Sequence, residues 1–279
     1  MAYKRIVTMQ DISCLGQCSL TVALPVLSAA GHETCVLPTA VLSTHTGLGV
    51  PAKRDLTEDI PAILDHWREL DVTFDAVCVG YLANPRQIAL ARELMTQFVA
   101  PGGRVILDPA MGDNGTLYRG FDRAFAARLR QELLPLADLV LPNVTEACLL
   151  TDTPYREEYG EDYPALLLDR LRALGARDAV LTGVRFSPEE IGVAAAEGEA
   201  RSFFRHRLVP GRASGAGDLF AAALTGAWLG GLSLPESAAL GAEFTRRCLE
   251  ETALRPVHPY GVKFEPVLGW LAQEAGIRG

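Results

Sequence analysis

A short glycine-rich segment that leads directly into a helix-forming run constrains this chain more than any other feature. The segment reads Ser214-Gly215-Ala216-Gly217-Asp218, and an alanine-rich and leucine-rich run follows it through Leu229. It predicts a tight turn at a helix N-terminus, where unpaired N–H groups and the helix dipole favour an anion such as phosphate. Small residues in this turn would let the anion approach the backbone closely.

Asp218 is the residue in this segment whose charge does not suit an anion site. One interpretation makes its carboxylate a general base, which takes a proton from an alcohol while the N–H groups hold an incoming phosphoryl group. The alternative is an ordinary N-terminal helix residue that the helix dipole stabilises. The segment alone leaves both open, because short glycine-rich motifs have many false positives.

The composition is that of an acidic globular protein. The chain has 279 residues, of which 49% are hydrophobic and 22% charged, and its formal net charge is −8. This balance predicts a single domain over residues 1–279 with a large apolar core. It argues against a nucleic-acid partner, which would need a basic surface. Phosphate ligands remain compatible with it, since backbone N–H groups and a metal can hold them.

The sequence carries no feature typical of export or membrane insertion. The apolar run after Arg5 ends at Gln10-Asp11, which is too short for a signal peptide, and no apolar stretch is long enough to span a bilayer. The six cysteines are scattered, without the two pairs of a zinc site, so we expect free thiols. We therefore expect a cytoplasmic protein with no membrane partner.

Short apolar runs alternate with helix-forming segments along most of the chain. Six runs predict buried strands, at residues 5–9, 34–37, 76–80, 105–108, 138–141 and 179–183. A later hairpin is predicted at residues 191–194 and 201–204. The alternation predicts an α/β fold, with a mostly parallel sheet covered by helices on both faces.

Polar residues collect at the predicted carboxyl ends of the strands, where such sheets bind their ligands. They are Asp11, Thr46, Tyr81, Asp108, Asn143, Glu146 and Thr182. Segments 10–17 and 42–47 are predicted to be polar loops, and segment 109–120, rich in Gly, Asp and Asn, is a candidate lid. The common placement of the polar residues favours one shared site.

Each of these residues also has an ordinary structural alternative. Asn143 can cap a helix, and Tyr81 can pack against the core. His45, in the loop 42–47, can hydrogen-bond to local backbone. Asp108 and Glu146 can be helix or loop carboxylates without a metal.

Five segments, taken in chain order, resemble the bacterial pyridoxal/pyridoxamine kinases, a vitamin-kinase branch of the ribokinase-like kinases. These segments are 42–47 (LSTHTG), 79–82 (VGYL), 108–113 (DPAMGD), 143–146 (NVTE) and 215–220 (GAGDLF). The resemblance covers the chain from Ile6 to about Gly230. It implies a ribokinase-like three-layer fold and phosphorylation of the 5′-hydroxymethyl group of pyridoxal, pyridoxine or pyridoxamine with ATP and Mg²⁺. It also implies a homodimer.

The resemblance also implies roles for individual residues. Asp218 would be the base, and the N–H groups of Gly215, Ala216 and Gly217 would receive the transferred phosphoryl charge. The vitamin ring would contact Asp11, His45, Thr46 and Tyr81. The residues toward ATP would be Asp108, Asp113, Asn143, Thr182, Gly183 and Ser214, and those that organise Mg²⁺ would be Glu146 and Asp108.

The chain departs from the family pattern at two positions. It reads Gln10-Asp11-Ile12 where well-known pyridoxal kinases have Q-S-H, so an acidic residue faces the ring pocket. Leu141 stands where many relatives carry Thr, which leaves a monovalent-cation site open. Three alternatives to a pyridoxal kinase are a hydroxymethylpyrimidine kinase of thiamin salvage, a non-catalytic pyridoxal phosphate binder and a sugar kinase. The His and Thr loop and the aromatic Tyr81 favour a flat heteroaromatic ring over a sugar.

Overall fold

The computed structural model describes residues 3–211, 214–255 and 259–275. The strands within these ranges are β1 (Arg5–Leu15), β2 (Glu33–Thr44), β3 (Lys53–Asp55), β4 (Phe74–Val79), β5 (Val99–Leu107), β6 (Gly112–Asp113), β7 (Thr116–Leu117), β8 (Leu139–Val140), β9 (Asp178–Arg185), β10 (Glu190–Glu197) and β11 (Ala200–Arg207). The α-helices are α1 (Leu20–Ala29), α2 (Ile60–Glu69), α3 (Pro85–Gln97), α4 (Arg123–Glu132), α5 (Val144–Leu150), α6 (Asp162–Ala173), α7 (Ala216–Leu229), α8 (Leu234–Ala253) and α9 (Leu268–Glu274).

The main sheet has nine strands in the order β11-β10-β9-β8-β5-β4-β1-β2-β3, and β6 and β7 form a separate hairpin. The pairings that run from β9 through β8, β5, β4 and β1 to β2 are all parallel. The strands β3, β10 and β11 extend the two edges in antiparallel fashion. The mostly parallel sheet is confirmed, and the carboxyl ends of its parallel strands meet along one edge.

Helices cover both faces because successive side chains of a buried strand point to opposite sides of the sheet. On β5, Val105 and Leu107 belong to one apolar cluster and Ile106 to the other. The first cluster packs the sheet against α2 to α6, and the second packs it against α1, α7, α8 and α9. The predicted three-layer architecture is therefore confirmed. Within the described ranges, no helix has both the length and the apolar character needed to cross a bilayer.

The first two strands are longer than the sequence predicts. They stay paired through Ser13↔Leu42 and Leu15↔Thr44, although the pairing of β1 with β4 ends at Met9↔Val79. The antiparallel strand β3 then pairs with β2. The prediction of polar loops at 10–17 and 42–47 is therefore wrong over much of both segments. The ends of β1 and β2 satisfy their backbone hydrogen bonds by pairing with each other. They therefore form strands without the apolar run by which a buried strand is identified in the sequence.

Candidate active site

The glycine-rich turn lies at the N-terminus of α7, as predicted. Gly215 is the N-cap residue of this helix and has a left-handed backbone, with φ of 89°. A Cβ on Gly215 would overlap the carbonyl oxygen of Gln17, whereas a Cβ on Gly217 would meet nothing within 4 Å. The C-terminal segment also anchors the turn, because the N–H of Val262 donates to the carbonyl of Ser214 at 3.0 Å. Glycine is thus required at position 215 because Gln17 approaches it closely. At Gly217 no neighbouring atom excludes a side chain, so the space beside the turn is open.

Asp218 lies in the first turn of α7 and lines a cavity that extends down between α1, α7 and the sheet. Asp108, Thr8 and Gln10 line the same cavity. Burial raises the pKa of Asp218 to about 6, a hydrogen bond from the Ser19 backbone opposes the rise, and the negative charge of Asp11 adds to it. The pKa of Asp218 is therefore higher than that of a solvated aspartate at a helix N-terminus.

Asp108 directly follows β5 and concentrates negative charge at the end of the sheet. Its N–H donates to the carbonyl of Val79 at 2.8 Å, which fixes the backbone beside β4. Burial raises the pKa of the Asp108 carboxyl well above its usual range, and the charges of Glu146 and Asp218 raise it further. Among the residues that the structure describes, no group of three or more His, Cys, Asp or Glu side chains could hold a metal ion by itself.

Glu146 connects the segment after Asp108 to the N-terminus of α5 through hydrogen bonds. One carboxylate oxygen accepts from the N–H of Met111 at 3.1 Å and from that of Gly112 at 3.5 Å. The other accepts from the N–H of Asn143 at 2.9 Å, which completes a capping box with the Asn143 side chain. Burial raises the pKa of Glu146. The structure therefore brings Glu146, Asn143 and the 108–113 segment into one hydrogen-bonded unit.

Asn143 also links this unit to β9. Its amide group donates to the carbonyl of Gly112 at 2.8 Å. Asn143 pairs with Thr182 in an isolated parallel bridge, and the N–H of Thr182 donates to the carbonyl of Pro142 at 3.0 Å. The next residue, Gly183, is exposed and has a left-handed φ of 66°. Asn143 therefore caps α5, as its structural alternative predicts. It also lies beside Thr182, another residue of the predicted site.

The candidate lid contains the β6–β7 hairpin. Asp113 is exposed on this hairpin, where its carboxylate accepts from the N–H of Asn114 at 2.8 Å. Tyr118 follows the hairpin, and its pKa is raised by partial burial and by Glu146, Asp113, Asp108 and Asp218. The segment thus folds back toward the carboxylates at the sheet edge.

Asp11 lies on β1, and Tyr81 follows β4, the strand that pairs with β1. Asp11 is only 5% exposed, and the hydroxyl of Ser13 donates to its carboxylate at 3.4 Å. Burial raises the pKa of Asp11. Burial also raises the pKa of Tyr81 to about 12, and Asp11 and Asp55 raise it further. The Tyr81 ring packs edge-to-face on Phe121, with 5.6 Å between the ring centroids, so its packing alternative is present. Its contact with a substrate ring stays a prediction.

Thr46 and His45 have different environments although they are adjacent. Thr46 is exposed in the short 3₁₀ turn that follows β2. His45 is only 6% exposed, and its Nδ1 accepts from the N–H of Gly47 at 3.2 Å. A Cβ on Gly16 would overlap the His45 ring, and one on Gly47 would lie 3.2 Å from the Ser214 hydroxyl. The hydrogen bond of His45 to local backbone is therefore present, and its ring packs the end of β1 beside the glycine-rich turn. Its contact with a substrate stays a prediction.

The sequence gives no sign that residues 16–19, between β1 and α1, lie beside the glycine-rich turn. The N–H of Gln17 donates to the carbonyl of Tyr260 at 2.7 Å, which ties this loop to the C-terminal segment. Burial raises the pKa of the Cys18 thiol to about 12, with Asp218 and Asp11 adding to the rise, so the thiol stays protonated. Ser19 is the N-cap residue of α1 and is only 7% exposed.

The chain matches the family model of phosphomethylpyrimidine kinases over residues 24–262. It is 31% identical to a pyridoxine/pyridoxal/pyridoxamine kinase of Bordetella bronchiseptica over 259 residues, which cover 88% of this chain and 89% of that protein.

Two solved structures are similar over nearly the whole chain. One is a Bacteroides thetaiotaomicron protein, assigned to the phosphomethylpyrimidine kinases, in a crystal form with pyridoxal. It has a TM-score of 0.92 and 33% identity, and the match covers 97% of this chain and 96% of that one. The other is a pyridoxal kinase of Lactobacillus plantarum, with a TM-score of 0.89, 31% identity and coverage of 98% of each chain.

Proposed function

Since this chain belongs to the phosphomethylpyrimidine kinase family and shares its ribokinase-like fold, we propose that it is a vitamin B6 kinase. It transfers the terminal phosphoryl group of ATP to the 5′-hydroxymethyl group of pyridoxal, pyridoxine or pyridoxamine. One observation carries the proposal: Asp218 lies in the first turn of α7, directly after the glycine-rich turn, and shares a cavity with Asp108. Two relatives, one named as a pyridoxal kinase and one crystallised with pyridoxal, support the choice of ring.

Asp218 acts as the base on the alcohol, and the N–H groups of Gly215, Ala216 and Gly217 stabilise the charge on the transferred group. The residues that surround the vitamin ring are Asp11, His45, Thr46 and Tyr81. The residues that face ATP are Asp108, Asp113, Asn143, Thr182, Gly183 and Ser214. Phosphoryl transfer asks the protein mainly for positioning and charge compensation, and these groups supply both.

The carboxylates at the sheet edge suit Mg²⁺. The two charges that act on Asp108 are both negative, so a divalent cation beside it would stabilise its ionised form. Asp108 would hold the ion, and Glu146, whose oxygens already accept backbone N–H groups, would reach it through water. Mg²⁺ commonly binds one or two carboxylates and takes its other oxygens from water and phosphates. When bound, it neutralises the charge of the β- and γ-phosphates.

The proposal is tested by the release of ADP from Mg-ATP in the presence of pyridoxal, pyridoxine or pyridoxamine. We expect release that depends on the vitamer and that produces its phosphate ester. No release above the ATP-only control with any of the three would contradict the proposal. The homodimer, the monovalent cation and the single domain remain predictions from the sequence.

A second candidate function is the phosphorylation of hydroxymethylpyrimidine. The family model that matches residues 24–262 is described as phosphomethylpyrimidine kinase, which favours this candidate. Both substrates are flat heteroaromatic rings with a primary alcohol, so the same base and the same N–H turn would serve either. The preference for one of the two substrates depends on the residues around the ring, above all on Asp11 and Tyr81.

We expect kcat to fall on the acid side with a midpoint near the pKa of Asp218, which burial raises to about 6. Only the ionised carboxylate accepts a proton, so kcat should fall about tenfold for each pH unit below the midpoint and level off above it. The measurement is kcat at saturating Mg-ATP and pyridoxal between about pH 5 and about pH 8. If the carboxylate sets the midpoint, the midpoint should differ in Asp218→Glu. If protonation of ATP sets it, the midpoint should be the same in both enzymes. A flat profile across this range would contradict the assignment.

Asp11→Asn should change the preference among vitamers. Pyridoxamine carries an ammonium group that the buried Asp11 carboxylate can pair with, and pyridoxal does not. We expect kcat/KM for pyridoxamine to fall about tenfold relative to pyridoxal, which corresponds to about 1.4 kcal/mol. Asparagine keeps the size of the side chain and can still accept from Ser13. Equal changes in kcat/KM for the two vitamers would show that Asp11 does not recognise the amine of pyridoxamine.

A further inference from the structure

The segment that carries Tyr81 leaves the sheet directly after β4. The pairing of β4 with β1 ends at Met9↔Val79, and the N–H of Gly80 still donates to the carbonyl of Met9 at 3.0 Å. The next residues, 81–83, belong to none of the strands in the described ranges. The position of the Tyr81 ring therefore depends on other contacts of this short segment.

The hydroxyl of Thr39 makes one of these contacts. It donates to the carbonyl oxygen of Tyr81 at 3.1 Å, and Thr39 is fully buried. In the sheet, β1 lies between β4 and β2, and Thr39 belongs to β2. The hydrogen bond therefore joins two parts of the chain that are not neighbours in the sheet, and it holds the Tyr81 segment on the far side of β1.

A β-bulge places Thr39 at this point. The strands β1 and β2 pair in register up to Gln10 and again from Ile12, with one more residue on β2 between these two points. Thr39 and Ala40 therefore stand opposite Asp11 alone. Bulges of this kind redirect a side chain and are frequent beside active sites. The bulge thus brings Thr39 to the level of Asp11, one of the residues proposed to surround the vitamin ring.

Gln87 holds the same segment from the side of α3. Its amide group donates to the carbonyl of Thr39 and to the hydroxyl of Thr57, both at 2.9 Å. Its oxygen accepts from the N–H of Ala83 at 2.6 Å. Gln87 is fully buried, and these bonds offset the cost of burying its amide. Thr39 and Gln87 thus fix backbone groups on either side of the buried Leu82.

We propose that Thr39 is a positioning residue for the substrate, whose hydroxyl sets the place of Tyr81 and thereby the affinity for the vitamin ring. This inference rests on the proposed function, because it takes Tyr81 to contact the ring. Thr39 acts through Tyr81, since its own hydroxyl is already bonded to the Tyr81 carbonyl. Asp218 and the glycine-rich turn belong to α7, so kcat and the binding of Mg-ATP should change little when this hydroxyl is lost.

Two variants of Thr39 separate its hydroxyl from its shape. Thr39→Val keeps the branched side chain and removes the donor, whereas Thr39→Ser keeps the donor and removes a methyl group. We expect KM for pyridoxal to rise about fivefold to tenfold in Thr39→Val and to stay within about twofold of wild type in Thr39→Ser. KM for Mg-ATP should stay within about twofold in both. The measurement is steady-state ADP release, with the Kd of pyridoxal from calorimetry as a second readout.

Thr245→Val is the matched control. The Thr245 hydroxyl donates to the carbonyl of Gly241 within α8, at 2.8 Å, and neither residue is assigned to the reaction. The control undergoes the same chemical change as Thr39→Val, and all its kinetic constants should stay within about twofold of wild type. A rise of KM for pyridoxal in the control equal to that in Thr39→Val would overturn the inference.

A purely structural role of Thr39 predicts a different order of effects. Removal of the buried methyl group in Thr39→Ser lowers stability, so KM for pyridoxal would then rise in this variant as well and follow the thermal unfolding temperature. A double-mutant cycle shows whether Thr39 acts through Tyr81. Thr39→Val should raise KM for pyridoxal in the wild-type background and should not raise it further in Tyr81→Ala. Equal increases in the two backgrounds would overturn the inference.

If Thr39→Val does not fold, Thr39→Ala and Thr39→Ser make the same comparison. Both lack the methyl group and only Thr39→Ser has a hydroxyl, so KM for pyridoxal should be higher in Thr39→Ala. Equal KM values in these two variants, with an active wild type, would reject this inference alone. A wild-type enzyme that phosphorylates no B6 vitamer would reject the proposed function itself, and this inference with it.

Discussion

Asp218→Asn should fold, bind Mg-ATP and a B6 vitamer, and lose kcat by a factor of about 10³ to 10⁴. The reason is chemical, because the amide has the shape of the carboxylate and cannot accept the proton of the attacking alcohol. The side chain lies in the first turn of α7 and borders the cavity with Asp108, so little packing depends on its charge. The measurement is steady-state kcat from ADP release, together with the binding of each substrate by calorimetry.

Asp65→Asn is the matched control for this variant. The Asp65 side chain is 70% exposed on α2 and pairs with Arg68, and it is not among the residues assigned to the reaction. It undergoes the same chemical change, and kcat should stay within about twofold of wild type. If Asp218→Asn retained kcat within about tenfold, or about 1.4 kcal/mol in the barrier, Asp218 would not be the base. A wild-type protein that binds pyridoxal phosphate and transfers no phosphoryl group would favour the non-catalytic binder.

Gly215→Ala should lower kcat by a factor of about 10² to 10³, which is the usual effect of losing one N–H donor to a developing charge. Two features of Gly215 lead to this expectation. Its φ of 89° is unfavourable for alanine, and the added Cβ would overlap the backbone oxygen of Gln17. Since Gln17 is held by Tyr260 and cannot yield easily, the glycine-rich turn must move. The measurement is kcat together with the thermal unfolding temperature.

Gly198→Ala separates the backbone effect from the clash. Gly198 also has a left-handed φ, of 55°, but a Cβ there would meet nothing within 4 Å. It lies in the turn between β10 and β11, so this variant should lose some stability and keep its kcat. If Gly215→Ala behaved in the same way, the turn would not contribute to transfer.

The sequence predicts the layers and the edge of the sheet that carries the site. The last three residues of β5, Val105 to Leu107, have side chains buried on both faces of the sheet, so this hydrophobic run is clear in the sequence. The polar residues that follow such runs meet at one edge of the sheet. Asp108, Asn143, Glu146 and Thr182 are located in this way. The projecting ends of β1 and β2 are missed, because hydropathy marks burial and these segments are paired without being buried on both faces.

Interactions between distant parts of the chain are the other part that the sequence hides. His45 packs against Gly16, which is distant in sequence, and nothing in the loop 42–47 indicates this contact. Ser19 is the N-cap residue of α1, yet its side chain makes no capping hydrogen bond. Local propensity predicts the local role of a residue, and contacts from distant parts of the chain override it.

A competition assay tests the central claim most directly. The enzyme is given Mg-ATP with equal concentrations of pyridoxal and hydroxymethylpyrimidine, and the two phosphate esters are quantified by mass spectrometry at early time. Their ratio is the ratio of the two kcat/KM values, free of differences in enzyme concentration. We expect the pyridoxal ester to exceed the pyrimidine ester by about tenfold or more. A pyrimidine ester in excess, or neither ester at all, would contradict the assignment of this chain as a vitamin B6 kinase.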